Sequence, residues 1–437
     1  MVIKKKYWGV QTELSLKNFP IASHKIPLEL IYALAMVKKG AAMVNTIGKK
    51  KRKVIVKVCE EILRGKLDSH FPLSVWQTGS GTQTNMNVNE VISLRARELY
   101  PDLTIHPNDD VNKSQSSNDT VPTAMHIATV LLTKKKLLPH LQTLHHALLQ
   151  KSKEFRSLIK IGRTHLMDAI PITLGQEFSG YAAQIKQGIE GIEGGLASLG
   201  QVALGGTAVG TGLNAPKRFG KKVCALISKW THHEFVQAEN LFAAIGAHDP
   251  LVAFSAALRQ IAISLLKIGG DVSLMASGPR SGFAEISLPA NEPGSSIMPG
   301  KVNPTQCEAL MMVAVQVMGN DAAVAIAGSR GVLELNTYKP VIIYNILESI
   351  HLVSEAAENF AKKCVRGIRP NKKKLQENVR ESIMVVTRLN PIIGYEKGRQ
   401  VVELAIKQGI SIKEACLKLK FLTAKRLDAI LDVKKMV

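Results

Sequence analysis

The stretch GSSIMPGKVNP occupies residues 294–304 and is the most informative part of this 437-residue chain. It places two serines, one lysine and one asparagine among glycines and prolines, and it contains no acidic residue. Helical hydrophobic periodicity begins again at its end, at Pro304, and continues to Val365. The stretch therefore closes a long Gly-, Pro- and Ser-rich segment, 271–304, and loops of this length inside a compact domain are usually functional or disordered.

Three other segments share this polar character and interrupt helical patterns in the same way. They are Thr78–Asn89, His106–Asp119 and Gly162–Gln176. Surface loops normally carry more charge and fewer clustered Thr, Ser and Asn residues than these segments do. Together with Ala290–Pro304, they can bring hydroxyls, amides, one histidine and one lysine around a small anionic ligand.

Between the polar segments, apolar residues recur three and four positions apart, which is the period of an amphipathic helix. The helical pattern covers residues 25–67, 121–149, 174–192, 216–266 and 304–365, and a basic helical segment follows at 370–437. Alternating strand patterns are scarce. The sequence therefore favours an all-α fold.

The composition limits the partners and the cellular compartment. Lys and Arg number 57 against 35 Asp and Glu, a net charge of +22, so a nucleic acid or another anion is worth testing as a partner. Aromatic residues make up only 5%, which argues against a stacking platform for single strands. The five cysteines form no CxxC pair, and no secretory signal pattern follows the basic start at residues 1–7. We expect a cytoplasmic protein without a metal or a redox cofactor.

Other patterns have a structural interpretation. GTGLNA at 210–215 matches a dinucleotide-binding glycine pattern, but no strand precedes it and no acidic residue follows at the right distance, so we do not predict that function. The run KKKRKV at 49–54 lies inside a helical pattern and predicts a solvated helix face. The most apolar stretches, Leu241–Leu258 and Ala309–Gly328, both contain polar groups and predict buried helices of a bundle.

The sequence resembles a known family at several points. GSSxMPxKxNP is the signature of the fumarase/aspartase superfamily of lyases, and GSSIMPGKVNPTQCEAL is similar to the version found in class II fumarases. Further stretches resemble class II fumarases in the family's order: WGVQT at 8–12, TGSGTQTNMNVNEVI at 78–92, HPNDDVNKSQSSND at 106–119, GRTHLMDAIPITLGQE at 162–177 and NPIIGYEKG at 390–398. The resemblance covers nearly the whole chain.

This resemblance implies both an architecture and an activity. The implied fold is all-α with three domains: an N-terminal domain at 1–115, a central long-helix bundle at 116–366 and a small C-terminal domain at 367–437. The central helices of four subunits would form one core, giving a homotetramer whose sites are shared between subunits. The implied activity is the reversible hydration of fumarate to L-malate, without a cofactor and without a membrane or nucleic acid as partner.

The chemistry of that reaction defines the groups that the site needs. In the dehydration direction, a base removes a weakly acidic proton next to a carboxylate, fixed donors hold the added charge, and another group handles the water. The resemblance gives Ser295 the role of carbon base and His165 that of acid/base through water. Lys301 and Asn303 would stabilise the aci-carboxylate intermediate, and Glu308 would orient the imidazole.

The resemblance also implies residues that bind the substrate and residues of a second dicarboxylate site. The substrate-binding candidates are Ser80, Gly81, Thr82, Ser116, Ser117, Asn118, Thr164, Ser296, Lys301, Val302 and Asn303. The candidates for the second site are His106, Pro107, Asn108 and Asp109. Many of these residue types also serve as helix caps or turn residues, and a helix-start turn capped by Asp109 is the alternative interpretation of the second site.

Two alternatives remain at this stage. Aspartate ammonia-lyases resemble the chain but typically have Gln where His165 stands. A non-catalytic basic binding protein on the same fold would account for the lysine clusters at 4–6, 49–53, 134–136 and 372–374. The chain also departs from the family at Met167, where Gln is usual, and at Leu103, where many members have a basic residue.

Overall fold

A computed structural model describes residues 6–437, so the basic start at 1–5 and most of the 4–6 lysine cluster lie outside the described residues. The described part is mainly helical, which confirms the predicted all-α fold class. Its helices are α1 Val10–Asn18, α2 Leu28–Val44, α3 Lys49–Leu63, α4 Thr82–Leu99, α5 Ser117–Leu132, α6 Leu138–Glu154, α7 Leu174–Leu199, α8 Phe219–Thr231, α9 Leu241–Gly246, α10 Asp249–Met275, α11 Thr305–Gly328, α12 Lys339–Lys363, α13 Lys372–Glu381, α14 Asn390–Ile393, α15 Tyr395–Gln408, α16 Ile412–Lys418 and α17 Ala424–Ile430.

The strands are short and form only pairs. They are β1 Ile159–Thr164, β2 Met167–Thr173, β3 Gln201–Val202, β4 Val236–Gln237, β5 Ile286–Ser287, β6 Gly331–Val332, β7 Leu335–Asn336 and β8 Arg369–Pro370. β1 and β2 form an antiparallel hairpin. β3 pairs with β4 in parallel, whereas β5 with β8 and β6 with β7 are antiparallel. Buried side chains of the helices therefore supply most of the core.

The chain divides into two compact units. The first unit comprises the described residues up to His140, together with 188–263 and 313–355. Within it, α2 packs against α3, α4, α5 and α8. Nearly every residue of α5 is buried, and its buried polar side chains form hydrogen bonds, such as those of the Thr120 and Thr123 hydroxyls to backbone carbonyls one turn earlier. The run at 49–53 forms the start of α3, with Lys49 and Lys50 exposed, as the helical pattern predicted.

The structure corrects the prediction that 78–89 is a loop, because α4 already begins at Thr82. Asparagine is a poor helix former in isolation, but these asparagines have tertiary partners. The Asn85 side-chain amide donates to Asn112 Oδ1 at 3.1 Å, and that of Asn87 donates to the His70 carbonyl at 3.2 Å. Buried hydrogen bonds therefore outweigh the local preference.

The second unit comprises residues 141–187, 264–312 and 356–437. The predicted polar interruption at 162–176 is here the β1–β2 hairpin followed by the start of α7, and β1 packs against α13. Helix α10 continues to Met275, so the loop that we expected from residue 271 begins only after it. The helices α15, α16 and α17 enclose a small core that includes Val401, Ile412 and Leu427.

Helices α10 and α11 are long and apolar enough to cross a membrane by length and composition alone. Core helices of soluble bundles meet the same criterion. Within the chain they are only partly buried, over 50% of the apolar window of α10 and 33% of that of α11. On α11, Met312, Val315 and Ile326 are each more than 60% exposed, so one chain leaves an apolar helix face uncovered.

Candidate active site

The 294–303 segment of the second unit is a closed loop. The Gly294 N–H donates to the Lys301 carbonyl at 3.1 Å, and the Asn303 side-chain amide donates to the Gly294 carbonyl at 2.7 Å. A Cβ on Gly294 would lie 2.1 Å from the Lys301 carbonyl oxygen, so only glycine fits this position. One backbone hydrogen bond and one side-chain hydrogen bond within the segment therefore close the loop that carries the signature residues.

Ser295 lies in this loop with its hydroxyl oxygen facing two backbone donors. Ser295 Oγ accepts the Ile297 N–H at 3.2 Å and the Met298 N–H at 3.1 Å. Hydrogen bonds to the ionised form of a group favour that form. These two N–H groups are placed to stabilise a Ser295 alkoxide, which is what a serine needs to act as a base.

The other loop candidates differ in how much of their side chain is free. Lys301, Val302 and Ser296 are exposed, and within residues 6–437 the Lys301 ammonium forms no ion pair. Asn303 uses its amide nitrogen to close the loop. Lys301 is thus the loop's available cation, while Asn303 contributes first to the shape of the loop.

His165 lies at the tip of the β1–β2 hairpin, next to Thr164. Thr164 pairs with Met167, so His165 and Leu166 are the two residues of the turn. Their φ values are 57° and 62°, the left-handed region that two-residue hairpins require and that usually selects Asn or Gly. A histidine and a leucine in this conformation are strained, and such strain is concentrated at functional sites. The turn is exposed, with Leu166 and Met167 uncovered by 65% and 69%.

A buried network of charged groups supports the hairpin from within the second unit. Glu285 is fully buried, and its carboxylate lies 2.7 Å from Arg163 Nη1 and 2.8 Å from Lys160 Nζ. Lys160 also binds the Glu177 carboxylate at 2.8 Å. The two cations and two anions balance, and they hold β1 two residues before His165. The sequence did not indicate this network, because Glu285 lies 122 positions along the chain from Arg163.

Glu308 lies in the first turn of α11 and is exposed. Within the described residues of one chain, no hydrogen bond or ion pair joins it to His165. The His165 side chain is exposed as well. The orientation of His165 by Glu308 remains a prediction.

The candidates in the first unit form a chain of hydroxyl groups. Thr82 Oγ1 lies 2.8 Å from Ser80 Oγ and 2.8 Å from Ser117 Oγ. Gly81, with φ of 77°, caps α4 in the left-handed conformation that turns the segment between Ser80 and Thr82. Two segments 35 residues apart thus present their hydroxyls together.

The start of α5 is held by caps and by a neighbouring glycine-rich loop. Ser116 Oγ accepts the Asn118 N–H at 3.1 Å, and Asp119 accepts the Ser116 N–H at 2.9 Å. Asp119 also accepts the N–H groups of Gly205 and Thr207, and burial raises its pKa to about 6. The Asn118 side-chain amide donates to the carbonyl of Ala208 at 2.8 Å. Ser116 therefore caps the helix, while Asn118 fastens it to the 205–214 loop.

A cavity of about 430 Å³ in the first unit is lined by three of the predicted residues, Thr82, Ser116 and Ser117. Besides Thr82, Ser116 and Ser117, its lining contains Asn85, Met86, Asn112, Ser114, Gln115, Thr207, Ala208, Leu213 and Asn214. Five of these additional residues, at 85, 86, 112, 114 and 115, lie in the polar segments 78–89 and 106–119, but none of them was predicted individually as a site residue. The glycine-rich run GGTAVGTGLN at 205–214 supplies the other four, and its short side chains are a sequence signal for this wall of the cavity.

A buried lysine lies behind this cavity. The Lys38 ammonium donates to Asn112 Oδ1 at 2.7 Å and to Gln115 Oε1 at 3.1 Å. Asn112 Oδ1 also accepts from the side chains of Asn85 and Asn89, so it joins α2, α4 and the loop before Ser116. Burial lowers the pKa of Lys38 to about 7. Its surroundings therefore favour the neutral amine at alkaline pH.

The predicted second site forms a short turn, Pro107–Val111. His106 Nδ1 accepts the N–H groups of Asn108 and Asp109, so His106 is the cap of this turn. The carboxylate that accepts the His106 N–H belongs to Asp110, which also binds Lys51 at 2.7 Å. Asp109 is exposed. The capped turn was anticipated, but its capping side chain is His106.

The predicted residues therefore fall into two groups with their own internal geometry. The first unit holds the hydroxyl and amide set, Ser80 to Thr82 and Ser116 to Asn118, beside the cavity. The second unit holds the Ser295 loop and the His165 turn. No cluster of three or more potential metal-binding side chains occurs within residues 6–437.

Comparisons with known proteins give the chain a family. A family model described as lyase matches residues 2–319, and one described as fumarase C C-terminus matches residues 385–437. The chain belongs to the class II fumarase family. A class II fumarate hydratase of Thermosynechococcus vestitus is 56% identical over 97% of this chain and 92% of that protein. One from Helicobacter pylori is 51% identical over 99% of this chain and 95% of its own length.

The fold comparison agrees with the sequence comparison. The crystal structure of class II fumarase from Schistosoma mansoni superimposes with a TM-score of 0.98 at 44% identity, covering 100% of this chain and 96% of that one. The predicted family, lyase class and fold are therefore confirmed. The first of the two family models matches residues 2–319, which include all of the predicted catalytic residues: His165, Ser295, Lys301 and Glu308.

Proposed function

We propose that this protein is a fumarate hydratase that catalyses the reversible addition of water to fumarate to give L-malate. The observation that carries the proposal is the environment of Ser295. Its hydroxyl oxygen accepts two backbone N–H groups in a loop that also carries Lys301. Membership of the class II fumarase family supports the same reaction.

In the dehydration direction, the Ser295 alkoxide takes the C3 proton of L-malate. The electron pair left behind moves into the adjacent carboxylate, which becomes a dianionic aci-carboxylate held by Lys301 and Asn303. The C2 hydroxyl then leaves as water after receiving a proton through His165 and its bound water. The electron pair of the aci-carboxylate returns to form the C2–C3 double bond of fumarate as the C2–O bond breaks. Ser295 then releases its proton and His165 takes one up, so the net change is the loss of one water molecule.

Binding of the two substrate carboxylates falls to short donors. We assign this role to Ser80, Gly81, Thr82, Ser116, Ser117, Asn118, Thr164, Ser296 and Val302, with Lys301 and Asn303. The chain of hydroxyl contacts through Thr82 supports the first group. The turn His106 to Asp109 is proposed as the second dicarboxylate site, and Glu308 as the partner that orients His165.

We further propose a cytoplasmic homotetramer whose sites are shared between subunits. The exposed apolar face of α11 and the exposed His165 turn support this assembly, because both need a neighbouring chain to exclude water. Five buried free cysteines fit a reducing compartment. The domain division at residues 115 and 366 remains part of this proposal, and the local core of α15 to α17 supports a separate C-terminal domain.

The test follows the ultraviolet absorbance of the conjugated double bond with fumarate, L-malate and L-aspartate in separate reactions. We expect loss of absorbance with fumarate, gain with L-malate and no change with L-aspartate. Ser295→Ala and His165→Asn should each lower kcat by about 10²–10⁴-fold while leaving the assembly intact. The control Ser329→Ala should leave kcat unchanged. Gain with L-aspartate alone would reassign the reaction to ammonia release.

A non-catalytic role would leave all three reactions unchanged. In that case, binding of DNA or RNA with a steep dependence on salt would replace the enzyme proposal. We expect no such binding, because the described site residues include a base, a cation and an acid/base group in family order.

A further inference from the structure

A second concave surface lies in the C-terminal part of the second unit, and none of the predicted site residues lines it. It is a cleft of about 540 Å³ between the beginning of β1, helix α13, the beginning of α16 and the end of α17. We refer to it as the C-terminal cleft. Its volume lies within the range of small-molecule sites, about 300–1,000 Å³.

The floor of the C-terminal cleft is apolar. Leu375 and Ile412 are 1% and 3% exposed and form its deepest part. Leu158, Val379 and Leu431 continue this surface and are only partly covered by the protein. A ligand with an apolar body would remove this surface from water, which favours binding in proportion to the area covered.

The rim of the cleft is cationic. Lys372, Arg380, Lys413 and Lys434 line it, against the single carboxylate of Asp428. Lys413 contacts Asp428 and is neutralised by it. Arg380 lies 3.5 Å from Glu381. The remaining positive charge belongs to Lys372 and Lys434.

Those two lysines have no protein partner. Within residues 6–437, the ammonium groups of Lys372 and Lys434 form neither a hydrogen bond nor an ion pair. They belong to different segments of the lining, one at the start of α13 and one after α17. A negative group bound in the cleft would meet unpaired cations beside an apolar floor.

We infer that the C-terminal cleft binds an organic anion that carries an apolar body, such as a medium-chain carboxylate. A dicarboxylate substrate lacks the apolar part that the floor would cover. A single-stranded nucleic acid is disfavoured, because no aromatic side chain lines the cleft on which a base could stack. The inference does not depend on the proposed reaction, because the cleft shares no residue with the candidate active site.

The test uses calorimetric titration of the full-length protein with decanoate in the presence of saturating L-malate, which occupies the candidate active site. Two matched probes separate the effect of the charge from that of the alkyl chain. Decyltrimethylammonium has the same alkyl chain with the opposite charge, and succinate has negative charge without the alkyl chain. We expect saturable binding of decanoate alone. Equal binding of decyltrimethylammonium, or no saturation by decanoate at millimolar concentration, would overturn the proposal.

Variants locate the binding. The double variant Lys372→Glu/Lys434→Glu should weaken decanoate binding by about 10-fold or more, because it removes two attractive charges and adds two repulsive ones. The matched control Lys373→Glu/Lys435→Glu changes the net charge equally at neighbouring residues that do not line the cleft, and we expect a change below about 2-fold. Val379→Trp should also weaken decanoate binding, because the larger side chain would cover the apolar floor of the cleft. Equal weakening by both double variants, or binding only to anionic lipid vesicles, would refute a defined cleft site.

Discussion

Replacing Glu285 by glutamine tests whether the buried charge network holds the His165 turn. The side chain of Glu285 is fully buried, and its carboxylate lies within 2.8 Å of both Lys160 and Arg163. Glutamine keeps the shape but removes the charge, which leaves the four-residue network with one uncompensated positive charge. Removing one partner of a buried ion pair costs about 3–5 kcal/mol.

For Glu285→Gln we expect the lower end of this range of about 3–5 kcal/mol. Lys160 keeps its bond to Glu177 at 2.8 Å, and Arg163 is 16% exposed, so water can reach part of its guanidinium group. We therefore expect Glu285→Gln to lower the free energy of unfolding by about 3 kcal/mol. Because Arg163 precedes His165 by two residues, kcat should also fall by about 10-fold or more through misplacement of the turn.

The assay is urea unfolding followed by circular dichroism, with fumarate hydration measured on the same preparations. The control is Glu381→Gln, which removes an exposed pair with Arg380 at 3.5 Å and should cost less than about 0.5 kcal/mol. The double variant Glu285→Gln/Arg163→Met should be less destabilised than the two single changes added together. If Glu285→Gln and Glu381→Gln cost the same, the network does not support the hairpin.

Three further changes test other parts of the structure. Gly294→Ala places a Cβ 2.1 Å from the Lys301 carbonyl oxygen and should abolish hydration activity. The control Gly180→Ala adds a Cβ in open space and should leave the activity unchanged. Equal activity of the two variants would show that the 294–303 loop can open to accept a side chain. Leu166→Gly should raise the free energy of unfolding by about 0.5–1 kcal/mol, because glycine adopts φ of 62° without strain, and a loss of stability would refute that strain. Burial lowers the pKa of Lys38 from 10.5 to about 7, so the unfolded chain binds the extra proton between these values and native stability rises with pH there. Lys38→Met should reduce that rise in unfolding measurements at pH 7 and pH 9 without abolishing it, because burial lowers the pKa of Lys339 to about 7 as well; an unchanged difference between the two pH values would contradict the assignment.

Local sequence pattern identified the parts of the fold whose cause is local. The apolar period of three and four predicts the helices because a helix repeats every 3.6 residues, and the structure places long helices at 249–275, 305–328 and 339–363. The same reasoning was wrong for 78–89, where buried partners such as Asn112 support asparagines inside α4. It also missed the β1–β2 hairpin, whose turn residues His165 and Leu166 are not typical of a hairpin turn.

In the candidate site, too, sequence pattern was sufficient only for the residues whose arrangement has a local cause. Ser295, Lys301 and Asn303 lie in one motif, and their loop is closed by bonds within nine residues, so the sequence was sufficient to find them. Asn214 and Gln115 line the cavity because separate segments of the chain meet there, and the sequence did not predict either of them individually as a site residue.

By itself, the sequence determined the family, the all-α class and the identity of the candidate catalytic residues, because these depend on residue types at fixed spacing. The tertiary structure decided which groups act on them. Two backbone N–H groups face Ser295, a buried carboxylate at Glu285 steadies the strand before His165, and a buried ammonium at Lys38 holds the loop before Ser116. These contacts join residues up to 122 positions apart, and only a folded chain brings such residues within hydrogen-bonding distance.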